Sequence, residues 1–160
     1  MGNFGDCILS CETLALQRKR FDCIVSMQQI DFNHISYFGS LLCATNDKYF
    51  LNKLIECGTN VNLIFKKDQT ALSCLMWKII DMYYESDIIK FNYLLDNGAD
   101  INLGNIRTIS GVQYIDRPKR IQLIQYFIGK GLDINNKLLY GDKMLYDTRL
   151  GRLIEQILQT

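Results

Sequence analysis

Three segments of this chain repeat one phrase: LNKLIECGTNVN (Leu51–Asn62), FNYLLDNGADIN (Phe91–Asn102) and IQYFIGKGLDIN (Ile124–Asn135). Each sets two adjacent apolar residues (Leu54 and Ile55, Leu94 and Leu95, Phe127 and Ile128) ahead of a glycine (Gly58, Gly98, Gly131). Each then closes on Asn or Asp, an aliphatic residue and Asn. CIVSMQQIDFN, ending at Asn33, is a weaker fourth copy with Gln29 in the glycine position. The closing asparagines lie 29, 40 and 33 residues apart, so the unit centres on the low thirties and drifts by insertion. A period of this length marks stacked supersecondary units, each burying its apolar face only against its neighbours.

The chemistry of the phrase follows from its order. The apolar pair belongs to an amphipathic helix, and the glycine ends that helix where a positive φ is needed. The aliphatic residue is expected to tuck under the helix end, and the final Asn to bond the following turn. Another helix start comes next. DQTALSCLMWKIIDM sets Leu72, Leu75, Met76, Ile79 and Ile80 at i, i+3, i+4, i+7 and i+8, with Thr70 as its N-cap. DRPKRIQLIQYFIGKG carries Pro118 in its first turn and Gly131 beyond its end, the usual asymmetry of helix termini. The long third unit is expected to place its extra residues at MYYESD (Met82–Asp87), between two helices.

NGADIN (Asn97–Asn102) and DQTAL (Asp68–Leu72), with Thr70 eight residues after Asn62, resemble the ankyrin repeat, a helix–turn–helix–β-turn unit of about 33 residues. GDKML (Gly141–Leu145) keeps the same offset from Asn135, and Gly39 holds the turn-glycine offset after Asn33. The resemblance covers roughly residues 20 to 150. Two departures stand out: no helix start carries the family's proline, and LGNIRTISGVQYI, after Asn102, lacks the T-x-L phrase. The resemblance implies an all-α fold, an ankyrin-like solenoid of about five stacked helix–turn–helix units with capping repeats. Residues 1–160 then form one ankyrin-repeat-like domain: 1–33 an N-terminal cap unit, 34–142 central repeats, and 143–160 a C-terminal cap.

Composition narrows the function. With 18 Lys+Arg against 17 Asp+Glu the net charge is +1, which gives no general field for nucleic acid or an anionic membrane surface. The basic run Arg18–Lys19–Arg20 is expected between two helices, as solvated helix-end charge. One histidine, His34, rules out most metalloenzyme designs and any mechanism needing two imidazoles. It is read as a turn residue; a Cys–His pair with Cys43 or Cys74 would also need an oxyanion site and an orienting group, and no motif supplies either. The six cysteines contain no C-x-x-C and are expected as reduced thiols used as small core residues. Asp81, Glu85 and Asp87 are expected as a solvated loop cluster. No P-loop or GxGxxG is present, so no cofactor is expected. The first residues carry no basic n-region with an apolar run, and Asp6 stands where a myristoylation motif wants Ser or Thr. A cytoplasmic protein that neither spans nor binds a membrane is the expectation.

In ankyrin-like arrays the binding surface is the concave face made by turn tips and the exposed sides of the first helices. Carried over by offset, the family's variable positions give Lys66, Lys67, Gln69, Trp77 and Lys78 in the third unit, with Phe65 beside them. The second unit gives Tyr37, Phe38, Ser40, Lys48 and Tyr49, the fourth Ile106 and Arg107, and the last Leu139, Tyr140 and Asp142. Aromatic and apolar residues at tips that are normally polar suggest an interface, and the lysines and Arg107 suggest a partner with some acidic surface. The expected function is non-catalytic protein–protein binding by occlusion of one protein partner, the chain being a monomer alone or a heterodimer with it. The resemblance implies an immunity protein neutralising a cognate bacterial toxin. The alternatives are a pathogen or viral ankyrin protein that binds and inhibits a host factor, or an enzyme with an unrecognised site.

Overall fold

The computed structural model of the chain describes residues 14–26, 30–36, 39–65, 68–104 and 116–133. Among them the regular structure is five α-helices, one two-stranded hairpin and one 3-10 turn, so the fold class is all-α. The chain divides into two compact units after Asn60.

The first unit holds α1 (Leu14–Ser26), a hairpin of β1 (Ile35–Ser36) and β2 (Gly39–Ser40), a 3-10 turn (Leu41–Cys43) and α2 (Lys48–Glu56). Ile35 pairs with Ser40 and Ser36 with Gly39, antiparallel. Phe21 of α1 meets Phe50 of α2 edge to face, with ring centroids 5.2 Å apart, and Leu42, Leu51 and Leu54 are buried with them. Edge-to-face contact sets the positive rim of one ring on the negative face of the other. Asp47 starts α2 by accepting a hydrogen bond from the Tyr49 N–H at 2.8 Å. Arg18 adds a forked contact to the same carboxylate, at 3.3 and 2.9 Å. The basic run expected between helices therefore lies inside α1, where Arg18 is used to hold the N-terminus of α2.

The second unit holds α3 (Ala71–Met82), α4 (Glu85–Asp96) and α5 (Arg117–Gly129), with α3 packed on both others. The anticipated stripe Leu72, Leu75, Met76, Ile79 and Ile80 is buried in full, and so are Ala71, Ser73 and Asp81 on other sides of the same helix. A helix sandwiched between neighbours buries more than one face, which the stripe alone does not convey. Phe91 and Leu94 of α4 and Leu123, Ile124 and Phe127 of α5 complete the core, with Phe91 and Phe127 rings 4.9 Å apart. Tyr126 ties α5 to α4 by donating its hydroxyl to Asn92 Oδ1 at 2.7 Å.

Both anticipated helix starts are as read. The Thr70 hydroxyl accepts from the Ser73 N–H at 3.1 Å and the Ser73 hydroxyl accepts from the Thr70 N–H at 2.9 Å, a reciprocal capping box. Asp116 caps α5 through the Lys119 N–H at 2.9 Å, with Pro118 in the first turn. The connection expected over Met82–Asp87 is shorter: α3 runs through Met82, α4 begins at Glu85, and only Tyr83 and Tyr84 lie between. Glu85 and Asp87 instead occupy the first turn of α4, where negative charge meets the positive end of the helix dipole. Among the described residues Cys23, Cys43, Cys57 and Cys74 form no disulfide, but none is fully buried and Cys23 is exposed, so they are not core residues; Cys7 and Cys11 lie outside the described residues.

Candidate functional site

The repeated phrase folds into one repeated turn. After α2, α4 and α5, a glycine takes a positive φ: 84° at Gly58, 85° at Gly98 and 99° at Gly131. In each copy the two carbonyls of the apolar pair accept the two closing bonds. Gly58 N–H donates to Ile55 and Thr59 N–H to Leu54; Gly98 donates to Leu95 and Ala99 to Leu94; Gly131 donates to Ile128 and Leu132 to Phe127, all at 2.9–3.0 Å. This is the Schellman cap, and the residues one place past the glycine (Thr59, Ala99, Leu132) are buried beneath the helix end.

The closing Asn then does the same work three times. Asn33 Oδ1 accepts from the Asn60 N–H, Asn62 Oδ1 from the Asp100 N–H, and Asn102 Oδ1 from the Asp133 N–H, each at 2.7 Å. Asn62 and Asn102 also donate Nδ2 to the carbonyls of Gly98 (2.9 Å) and Gly131 (3.0 Å). Each side chain thus ties its own turn to the backbone of the next phrase. Asp31 and Asp100 set the Asn geometry by accepting from the Asn33 and Asn102 N–H groups at 2.9 and 2.8 Å, an Asx turn in both places.

A second recurrence concerns the hairpins. Gly39, six residues past Asn33, has φ 115°, and Asp68, six residues past Asn62, has φ 56°. Asp is one of the few non-glycine residues that enters this region readily. Beyond Asn102, Gly104 (φ 87°) sits so close to the α3 cap that an added Cβ would lie 3.0 Å from the Thr70 nitrogen and 3.1 Å from both the Asp68 carbonyl oxygen and Ser73 Oγ. Thr70 Oγ1 in turn donates to the Leu103 carbonyl at 3.3 Å. Thr70, Leu103 and Gly104 form a third kind of tie between successive phrases, and only the Thr70 part of it was legible as a motif.

Of the residues expected to bind a partner, seven are among those described: Ser40, which is buried, Lys48, Tyr49, Phe65, Gln69, Trp77 and Lys78. Trp77 and Lys78 are neighbours on α3 and both are half-buried. The Trp77 indole Nε1 is buried with no acceptor among the described residues. Lys78 is committed inward: its ammonium lies 3.1 and 2.9 Å from the two oxygens of Asp87, which is fully buried, and 5.5 Å from the Tyr84 ring centroid. A buried carboxylate requires such a partner. Of the cluster expected to be solvated, Asp81 and Asp87 are buried and only Glu85 is exposed; Lys90 is buried too.

Phe65, expected at an exposed tip, is buried at 9% exposure, its N–H donating to the Gln69 carbonyl at 2.8 Å across a bridge that closes the segment. Its ring serves the core of the second unit and not a partner. Tyr49 was expected on the first helix of its unit but lies in the first turn of α2, the helix that leads into the Gly58 cap. A unit of 29 residues leaves room for only the 3-10 turn where a full first helix would stand. The Tyr49 hydroxyl donates to Asp22, which raises its pKa above the ordinary tyrosine value, and the Arg18 guanidinium lies 4.9 Å from its ring centroid. Burial pushes the Asp47 carboxyl upward, but the hydrogen bonds from Arg18 and the Tyr49 N–H outweigh it and hold the pKa below its ordinary value. Tyr37, Phe38, Lys66, Lys67, Ile106, Arg107, Leu139 and Tyr140 lie outside the described residues.

The exposed aromatic surface that was not singled out is the α3–α4 connection. Tyr83 and Tyr84 are 39% and 53% exposed, and the Lys119 ammonium rests 4.3 Å from the Tyr83 ring centroid. The adjacent tyrosine pair carries that signal, but the Glu, Ser and Asp that follow it suit a solvated loop equally well. Among the described residues no helix is long and apolar enough to cross a membrane. Compared with protein-family models, curated proteins and solved structures, the chain finds no match.

Proposed function

We propose that the chain is an ankyrin-like stack of helix pairs whose work is non-catalytic protein–protein binding in the cytoplasm. It acts by occlusion, with an immunity protein that neutralises a cognate toxin as the specific form. What supports the reading is the recurrence of one turn: three Schellman caps, after Leu54–Ile55, Leu94–Leu95 and Phe127–Ile128, and three asparagines, Asn33, Asn62 and Asn102, that each accept at 2.7 Å from the backbone of the following phrase. Within each compact unit a turn held in this way fixes consecutive phrases in register, the kind of scaffold on which side chains can vary without disturbing the fold. The half-buried Trp77 on α3 is the described residue best suited to anchor a partner, since large amphipathic rings dominate interface energetics.

Affinity capture of the full chain from its native source, followed by mass spectrometry, names the partner. The toxin reading also predicts a toxin gene immediately beside this one. With the partner in hand, Trp77→Ala, Tyr37→Ala and Lys67→Glu combined should weaken binding by at least about a hundredfold, the loss of two hot-spot residues. Unchanged affinity in a folded triple variant would sink the proposed surface. Turnover of a substrate by the isolated chain, abolished by changing His34 or a cysteine, would sink the non-catalytic reading.

A further inference from the structure

We propose that Asn97–Gly98 is a modification site, at which the Asn97 amide is converted spontaneously to a carboxylate at a rate set by opening of the α4 cap. Asn97 is the only asparagine in the sequence followed by glycine, and both residues are exposed. Every other asparagine is followed by a residue whose side chain hinders attack of the next backbone nitrogen on the amide carbon. Nothing lies within 4 Å of the position a Gly98 Cβ would take, so no neighbour shields the glycine.

The reaction balances with water alone. The Gly98 nitrogen gives up its proton to water or hydroxide and attacks Asn97 Cγ, the bond from Cγ to Nδ2 breaks, and Nδ2 takes up one proton from water beside its own two and leaves as ammonia. Water then opens the cyclic imide at one carbonyl or the other, giving aspartate or isoaspartate. In the closed cap the nucleophile is engaged: the Gly98 N–H donates to Leu95 at 2.9 Å, and Asn97 is held at ψ 19°. The target is engaged as well, since Asn97 Nδ2 donates to the Tyr93 carbonyl at 2.8 Å. Cyclisation requires all three to be released together, so the cap acts as a gate.

The product acts on the inter-phrase tie. A carboxylate at residue 97 loses the bond to Tyr93 and adds negative charge between Asp96 and Asp100, at the negative end of the α4 dipole. Isoaspartate also inserts a methylene into the backbone directly before Gly98, whose carbonyl is held by Asn62 at 2.9 Å. Modification therefore pulls the Asn62 tie out of register, and intact ties suppress modification.

The test is to hold the full chain in mildly alkaline buffer and follow ammonia loss by peptide mass mapping, with isoaspartyl methyltransferase labelling of the product. The first modified peptide should span residues 97 and 98, and Asn97→Gln should remove that signal. Conversion should be at least roughly tenfold slower in the folded chain than in denaturing urea, because it waits on local opening. Asn62→Ala should raise the folded rate by about five- to tenfold, the loss of its hydrogen bonds to the gated turn. Should that variant not fold, sub-denaturing urea must raise the native rate in parallel with hydrogen exchange at the Gly98 and Ala99 amides. Conversion equally fast folded and in urea, earlier conversion at another asparagine, or indifference to both Asn62→Ala and urea would overturn the proposal.

Discussion

Replacing Asn102 by alanine removes two side-chain bonds between phrases at once, to the Gly131 carbonyl at 3.0 Å and from the Asp133 N–H at 2.7 Å. A neutral intramolecular hydrogen bond contributes about 0.5–1.5 kcal/mol net, so the pair contributes about 1–3 kcal/mol. Asp133 and Gly131 are exposed, and water can satisfy the groups the mutation frees, so no buried orphan adds to the loss. The expected destabilisation is about 1–2 kcal/mol, a fall of roughly 0.5–1 M in the urea midpoint with an unchanged slope. Asn102→Asp is the sharper control. It keeps an acceptor for the Asp133 N–H but turns an oxygen toward the Gly131 carbonyl, so it should lose at least as much as alanine. Asn62→Ala breaks the preceding tie, and the turn from Gly98 to Asn102 belongs to both. The double variant should therefore lose less than the sum of the singles, by about 0.5 kcal/mol or more. An Asn102→Ala midpoint indistinguishable from native, or an Asn102→Asp as stable as native, would refute the idea that these bonds hold the turns together.

Three further outcomes follow from particular atoms. Thr59 is buried where the matching positions are Ala99 and Leu132, and its hydroxyl has no partner among the described residues; Thr59→Val should stabilise by about 1 kcal/mol, read from the urea midpoint. Gly104→Ala meets both a φ of 87° and contacts of 3.0–3.1 Å on the α3 cap, so a loss of about 1–3 kcal/mol is expected, and a neutral result would mean the cap can shift. The Asp47 pKa is lowered in the folded chain, so its contribution is full above the unfolded aspartate value of 3.8 and disappears as pH falls through the lower folded value. Arg18→Ala should thus be less stable than native at neutral pH, and the two midpoints should converge in acid once pH falls through the lowered Asp47 pKa; a gap that persists in acid would assign the effect to packing of the Arg18 side chain on Tyr49.

The features legible in the sequence are those whose physics is local. A glycine at the end of an apolar pair dictates its own cap, Thr70 and Pro118 mark helix starts by what they do to the adjacent backbone, and the α3 stripe follows from helical spacing. The final Asn is expected to bond the turn just after it, but its side chain bonds the backbone of the next phrase, 27, 38 and 31 residues on, a tertiary contact that no local pattern announces. What escaped depends on tertiary contact or on ambiguous chemistry. Glu85, Ser86 and Asp87 suit a polar loop and the first turn of a helix equally well, so the α3–α4 connection was read too long. The burial of Asp87 follows from the position of Lys78 nine residues earlier, and no residue pattern announces that. Phe65 looks like a surface aromatic until its bridge to Gln69 encloses it, and Arg18 looks like helix-end charge until Asp47 is placed beside it.

The central claim is that one turn, tied by one asparagine, recurs through the chain, and backbone hydrogen exchange at three amides tests it most directly. Asn60, Asp100 and Asp133 are exposed residues outside any helix or strand, so burial and regular structure give their N–H groups no protection. If Asn33, Asn62 and Asn102 hold them, all three should exchange roughly ten- to a hundredfold more slowly than unstructured amides, and Asn102→Ala should release Asp133 while leaving Asn60 unchanged. Exchange at the unstructured rate for all three in the native chain would contradict the repeat.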